Sequence, residues 1–499
     1  MDSLPRPLPP SLAAGLVFLA SGAVLVLEIV GLRLIAPYVG ITLQTSSAVI
    51  GLALAAIAYG AWLGGWLADR IDPRSLLAPA LLLAAAATAL TLPIVRWAGE
   101  LLRGSAAGGV LLLTALTVFV PATLLAAVTP LVIKLQLGDL RQTGQVVGKL
   151  SSIGTVGGIT ATLGTGFVLV AALRSSVIVL SLAAVLGVAG LGVGWYLRSL
   201  GRELASTRTR ALVAVVGLAG AGLAVVAPDP CNVETAYHCA RIEADPERPS
   251  GRLLILNSAH HSYVDLNDPR YLDFAYTQWI GAVADLVRPP AQPLDALHLG
   301  GGGFTLPRYL SATRPGTTNT VLELDGKLVE LDRAQLGLRT GPGLRVRVGD
   351  ARIVLADQPS GTRDLVVGDA FGHLVVPWHL TTRELVADIR RTLRPDGVYA
   401  LNVIDYPPAR FIRAEIVTVA AVFRHVAAVA PDAAFDGSIG SNFVIVASDS
   451  PLPLDALRER LAAGDTGARV LDGAALADFT RDARILTDDH APVDQLLSY

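Results

Sequence analysis

Apolar residues are distributed unevenly along this chain, and that asymmetry limits its fold more than any motif does. From Leu12 to about Ala227, apolar runs long enough to cross a bilayer follow one another; from Pro228 onward charged residues, prolines and short alternating runs return. Across 499 residues, 52% are hydrophobic and only 16% charged, and the mean hydropathy of +0.53 is too high for an ordinary soluble chain. The sequence therefore reads as an N-terminal α-helical transmembrane bundle over 1–227 followed by a soluble half. A formal net charge of -2, with no basic run interleaved with aromatics, argues against a nucleic-acid partner.

Candidate spans run from Leu12 to Ala36, Ser47 to Ala68, Leu76 to Val95, Ala107 to Ile133, Leu150 to Leu173, Val177 to Leu197 and Ala211 to Ala227. That is about seven helices, at roughly 20 apolar residues per crossing. The first is not a cleaved signal peptide, because it is long, carries Glu28 and Arg33, and is followed by further spans. Basic residues gather in alternate loops: Arg70 and Arg74, then Lys134, Arg141 and Lys149, then Arg198, Arg202, Arg208 and Arg210. The opposite loops hold only Arg96, Arg103 and Arg174. This asymmetry puts the N-terminus inside and, with an odd number of spans, the soluble half on the extracytoplasmic side of a multi-pass cell-membrane protein.

Three local features of this half have plain structural readings. Glu28 and Arg33 suit snorkelling and a structural ion pair, with a polar site in the bundle as the alternative. The small residues of Gly148 to Phe167 suit close helix packing. GWLADRIDPR (Gly65 to Arg74) resembles the cytoplasmic loop signature of major-facilitator transporters, but seven spans fall short of that fold and transport does not follow. After the last span, Cys231 and Cys239 are the chain's two cysteines. An extracytoplasmic location permits a disulfide between them, whereas a zinc site wants four ligands; no metal is expected.

The soluble half divides at about 290. In 228–290, Glu234 to Ile242 and Arg252 to Asn257 alternate like a small β-hairpin unit, and a connecting helix begins near Leu272. In 291–499, strand candidates at 294–299, 320–324, 344–348, 364–368 and 397–403 alternate with helices starting near Thr305, Lys327, Ala351, Thr381 and Ala409. Such alternation predicts a doubly wound, mostly parallel α/β sheet, which binds ligands at the carboxyl ends of its strands.

At the first of those ends Leu294 to Phe304 reads LDALHLGGGGF, a buried strand running into Gly300, Gly301, Gly302 and Gly303 and then a helix start. Glycines let a ligand approach the backbone closely, and a helix N-terminus offers unpaired N–H groups. Close helix-to-strand packing selects glycine too. Glu323 ends the next strand, where a carboxylate accepts both hydroxyls of a ribose. Together they predict a nucleoside-containing cofactor. Asp350 follows the third strand, either to accept from an adenine amine or to cap a helix. Asp369 follows the fourth, placed to steer a cation or take a proton from an amine, or to serve as a turn residue. Of His260 and His261, at most one faces the site, since neighbours on a strand point oppositely. Asp488 and Asp489 read as a turn and cap.

As an ordered set, HSYVDLNDP (His261 to Pro269), LGGGGF, VLELD, VGDAR, GDAF and LTDDHAPVDQL resemble the spermidine synthase-like polyamine aminopropyltransferases, in the form fused to an N-terminal membrane domain. The resemblance implies a small β domain before a Rossmann-like core of the class I methyltransferase type. It implies ribose binding by Glu323, adenine binding by Asp350, a catalytic Asp369, and a substrate-pocket tyrosine at Tyr276 in FAYTQW. Two departures stand out. The family's glycine loop continues into an aspartate that anchors the ammonium of decarboxylated S-adenosylmethionine, where this chain has Gly303. The acidic stretch after Asp369 becomes Ala370, Phe371, Gly372 and His373.

The implied activity is aminopropyl transfer from decarboxylated S-adenosylmethionine to an amine. Alternatives are methyl transfer from S-adenosylmethionine to an envelope or lipid-linked acceptor, and a noncatalytic nucleoside-binding membrane protein. In each case the lipid bilayer is a partner, and a homo-oligomer is compatible with the sequence.

Overall fold

A computed structural model describes residues 8–103, 107–137, 140–199, 215–217, 219–220, 222–224, 226–372, 375–464 and 466–497. The chain divides into two compact units, Met1–Cys239 and Ala240–Tyr499.

The first unit contains six helices long and apolar enough to cross a membrane: α1 (Pro10–Val39), α2 (Leu43–Arg70), α3 (Pro73–Leu101), α4 (Gly108–Gln136), α5 (Thr143–Ala172) and α6 (Ser175–Ser199). The seventh expected span, Ala211 to Ala227, falls partly outside the described residues, and Val215–Ala224 includes a short apolar helix. Arg202, Arg208 and Arg210 also lie outside them. Turn chemistry sets the helix starts. Thr42 and Thr45 form a reciprocal capping box at α2, and Asp72 caps α3 ahead of Pro73. The small residues of α5 pack it along α1: a Cβ on Gly157 would stand 2.4 Å from the carbonyl oxygen of Phe18, so only glycine permits that approach.

The expected ion pair between Glu28 and Arg33 is replaced by another. Five residues around a helix turn a side chain well away from its partner, whereas three or four bring them together. Arg33 instead meets Glu234 at 3.2 Å and donates to the carbonyls of Thr235 and Ala236, each at 2.5 Å. Glu234 accepts from the backbone N–H of Ser175 at 2.9 Å, which ties the segment before Cys239 to α1 and to the start of α6. Cys231 and Cys239 form a disulfide with Cα atoms 5.2 Å apart.

The second unit begins with an antiparallel meander of β1 (Cys239–Ala244), β2 (Gly251–Leu256) and β3 (Ala259–Asp265). With the short strand Val233–Glu234 the sheet has four strands, two more than the expected hairpin. The strand expected over Glu234 to Ile242 is broken, because Thr235 closes a turn by accepting from Tyr237 and His238. Helix α7 (Ala275–Val287) leads into the α/β part: β4 (Asp295–Leu299), α8 (Thr305–Thr313), β5 (Thr318–Glu323), α9 (Gly326–Gln335), β6 (Leu344–Val348), α10 (Ala351–Ala356), β7 (Arg363–Gly368), α11 (Arg383–Thr392), β8 (Leu393–Asp405), α12 (Arg410–Ala420), β9 (His425–Pro431), β10 (Ser441–Ser448), α13 (Leu454–Ala463) and β11 (Ala468–Leu471).

These strands form one eight-stranded sheet in the order β11-β9-β10-β8-β7-β4-β5-β6. From β8 to β6 every neighbour is parallel; β8, β10, β9 and β11 pair antiparallel. The sheet is thus mixed, with an antiparallel edge on a parallel core. Both faces are buried, as such a core requires. Tyr399, Leu401 and Val403 of β8 join α11 and α12 in one cluster, while Val398 and Ala400 join α7 and α13 in the other.

Candidate active site

The glycine turn leaves β4 against the end of β7. Gly300 has φ +93°, and a Cβ there would lie 2.2 Å from the carbonyl oxygen of Asp369, so the close approach demands glycine. Gly301 donates its N–H to Glu323 Oε2 at 2.7 Å, and Asp325 donates to Oε1 at 2.8 Å. Buried Glu323 is therefore clamped by backbone at the tip of β5. The N–H of Gly303 is already used: it donates to Ser262 Oγ at 2.9 Å. Phe304, at φ +58°, ends the turn and α8 begins.

Asp369 stands just past β7. Tyr276 donates its hydroxyl to Oδ2 at 3.1 Å, and Asn402 donates to Oδ1 at 2.8 Å. Asn442 in turn donates to Asn402 Oδ1 at 2.9 Å, which settles which end of the Asn402 amide faces the carboxylate. Burial pushes the Asp369 carboxyl up to about 6, against the two hydrogen bonds that stabilise its charge. Burial, with the adjoining carboxylate, also holds the Tyr276 hydroxyl well above its ordinary range, so tyrosine remains the donor. This geometry makes a carboxylate poised near neutrality, suited to accepting a proton.

Asp350 lies at the end of β6, joined to the neighbouring strand through the Gly349 N–H, which donates to the Glu323 carbonyl at 2.9 Å. One oxygen caps α10 by accepting from Arg352 and Ile353 at 2.9 and 3.3 Å; the other faces His379 Nε2 at 3.1 Å. Its helix-capping role is thus present in the structure. Asp488 and Asp489 form the expected turn, closed by Thr487 and His490, and in place of capping a helix Asp488 chelates the Arg352 guanidinium, with Oδ1 at 2.7 Å. His260 is exposed, while His261 sits where the β2–β3 register shifts and turns its ring edge toward Phe371, 6.5 Å between centroids. His373 lies outside the described residues. Among the described residues no cluster suits a metal.

Gly300 to Gly303, Glu323, Asp350 and Asp369 thus occupy the carboxyl ends of four adjacent strands, and Tyr276 reaches Asp369 from α7. Sequence reading overlooked Asn402 and Ser262. Asn402 had a signal, being the lone amide within the apolar run VYALNVI; Ser262, between His261 and Tyr263, had none.

No protein-family model matches the chain. It is 28% identical over 142 residues to a polyamine aminopropyltransferase of Vibrio vulnificus (strain CMCP6), covering 28% of this chain and 46% of that protein. To a polyamine aminopropyltransferase of Chromobacterium violaceum it is 25% identical over 171 residues, 32% of this chain and 63% of that one. A probable spermidine synthase from Corynebacterium glutamicum ATCC 13032, known as a crystal structure, is 30% identical over 50% of this chain and 94% of its own, with a TM-score of 0.48. The chain belongs to the spermidine synthase-like family. The Vibrio and Chromobacterium relatives, matched in sequence, are both polyamine aminopropyltransferases. The chain spans about half and just under two thirds of the two curated relatives' lengths. Within this spermidine synthase-like chain, Gly303 brings no carboxylate to the turn, and its N–H is held by Ser262.

Proposed function

We propose that the chain is a membrane-integrated, spermidine synthase-like aminopropyltransferase that uses decarboxylated S-adenosylmethionine and an amine acceptor. The observation that carries this reading is the carboxylate of Asp369, partly buried and held by Tyr276 and Asn402, in a chain whose relatives are named for that reaction. An uncharged amine attacks the methylene beside the sulfonium, the carbon–sulfur bond breaks, methylthioadenosine leaves, and Asp369 takes the proton from the new ammonium. Most of the acceleration comes from positioning. Glu323 holds the ribose hydroxyls, Asp350 the adenine amine, and Gly300 to Gly303 line the nucleoside's path.

The adenosine end fits the residues present better than the far end does. At the far end a sulfonium and an ammonium meet neutral Gly303, so part of the electrostatic attraction is missing. That observation favours a second reading, methyl transfer from S-adenosylmethionine, whose carboxylate tolerates a neutral turn. Isothermal titration of the detergent-solubilised protein against S-adenosylmethionine, its decarboxylated form and methylthioadenosine separates them. Selective binding of the decarboxylated form supports aminopropyl transfer, selective binding of S-adenosylmethionine supports methyl transfer, and binding of none removes both in favour of a noncatalytic role.

The Cys231–Cys239 disulfide supports an extracytoplasmic soluble half, where an envelope acceptor would be within reach; the loop charges support it if the segment from Ala211 to Ala227 makes a seventh crossing beyond the six described. Protease added to intact cells tests this. Cleavage after Pro228 supports the placement; protection until the cells are lysed overturns it.

A further inference from the structure

The first unit contains a cavity of about 660 Å³ between α1, α2, α4 and α5, lined chiefly by Val17, Leu25, Ile57, Leu125, Ile159 and Leu163. No ionisable side chain lines it. Its size falls within the range of roughly 300–1,000 Å³ typical of small-molecule sites. Ile159 and Leu163 are about half exposed, so the cavity opens sideways between α2 and α5 rather than being sealed.

Its position along the bundle identifies an occupant. On α5 it runs from Ser151 to Leu163, about 18 Å at 1.5 Å per residue, and on α4 it stops at Ile133. The next residue, Lys134, pairs with Asp69 at 2.7 Å, and both side chains are exposed, which marks the polar boundary of the bundle. The cavity therefore begins at that boundary and extends about the depth of one leaflet, roughly half of a 30 Å hydrocarbon core. Polar atoms are few but placed: Thr155 bonds back to the Ser151 carbonyl at 3.1 Å. The Thr162 hydroxyl at the deep end has no hydrogen-bond partner among the described residues. Pro130 has no N–H with which to close a helical turn onto Ala126, and both line the space.

We propose that this cavity holds one acyl chain of a membrane phospholipid, entering between α2 and α5 with its headgroup beside the Lys134–Asp69 pair. An apolar void open to hydrocarbon regains dispersion contacts when a lipid tail fills it. The inference rests on α1 to α6 spanning a bilayer, and resistance of the chain to alkaline extraction from membranes checks that reading separately.

The test is phospholipid bound per chain, by native mass spectrometry and by phosphorus assay after a delipidating detergent wash. Wild type should keep about one phospholipid. Thr155→Phe and Gly158→Leu, which fill the space, should lower retention about tenfold; a Cβ on Gly158 meets Leu25 at an ordinary 3.7 Å, so a side chain can begin there without a clash at its first carbon. No lipid on the wild type, or equal retention by the filled variants, overturns the proposal. If neither variant folds, a diazirine-tailed phospholipid on the wild type decides: labelling concentrated between Ser151 and Leu163 supports the site, and labelling spread over the outward face of α6 at Leu191 and Trp195 overturns it.

Discussion

Tyr276 donates its hydroxyl to Asp369 at 3.1 Å, joining the helix that precedes the sheet to the carboxyl end of its fourth strand in sequence order. The bond stabilises the ionised carboxylate, against burial that pushes Asp369 up to about 6. If Asp369 takes the amine's proton, kcat/KM should rise with pH through about 6 on the acid side. Tyr276→Phe removes one stabilising donor, so this acid limb should move to higher pH. Asp369→Asn should cost roughly 10²- to 10⁴-fold in kcat. Initial rates measured from pH 5 to 9 check all three; an unshifted limb in the phenylalanine variant would separate Tyr276 from the proton transfer.

A second carboxyl, Asp332 on α9, is fully buried, and neither of its oxygens has a hydrogen-bond partner among the described residues. Burial first, then the charge of Glu323, pushes it up to about 9, opposed by Arg308. A raised carboxyl keeps its proton in the folded state and loses it in the unfolded state above about 4. Its contribution to stability is therefore fully present below about 4 and declines as pH rises through about 9. Asp332→Asn has the same shape without the titration. The variant should match or exceed wild type by about 1–3 kcal/mol at pH 8–9, with a smaller difference at pH 5, as read from chemical denaturation.

Much of this arrangement was legible because local chemistry and burial agree. Strands at 294–299 and 344–348 lie within a residue of their observed bounds, since a largely apolar run and an alternating one, each ending at glycine, admit little else. The antiparallel edge was not legible: HVAAVAP and NFVIVAS are apolar on both faces, and that pattern carries no strand direction. Nor were the partners of Asp369 and Gly303, which lie 33 and 41 residues away in sequence and meet only once the sheet register and the fold of the meander are set. The places of Glu323 and Asp350 at strand ends were legible, because a carboxylate at a strand end is visible without knowing its neighbours.

Gly303 offers a test of the neutral turn. A Cβ there would lie 2.9 Å from Val264 Cγ2 and 3.0 Å from Ser262 Cβ, so the meander occupies the space a side chain would need. Gly303→Asp should therefore destabilise by about 1–3 kcal/mol, and Ser262→Gly in the same chain should recover part of that. In the double variant, calorimetry should show the preference for decarboxylated S-adenosylmethionine over S-adenosylmethionine rising about tenfold, from the added carboxylate. An unchanged preference would mean that the far end of the donor does not approach this turn.

Arg33 supports the last prediction. Its guanidinium meets the Glu234 carboxylate and the carbonyls of Thr235 and Ala236, and each side chain of the pair is only 16% exposed. Removing one member leaves the other charge poorly solvated, which costs more than losing both. Arg33→Ala should lower stability in detergent by about 3 kcal/mol, and adding Glu234→Gln should return part of it, a coupling read from a double-mutant cycle. Arg33→Lys should not restore wild-type stability, because an ammonium lacks the planar fork that serves a carboxylate and two carbonyls at once. Thermal unfolding of five proteins, wild type, Arg33→Ala, Glu234→Gln, their double variant and Arg33→Lys, monitored by circular dichroism, supplies the comparison; a lysine variant as stable as wild type would reduce the site to simple charge neutralisation.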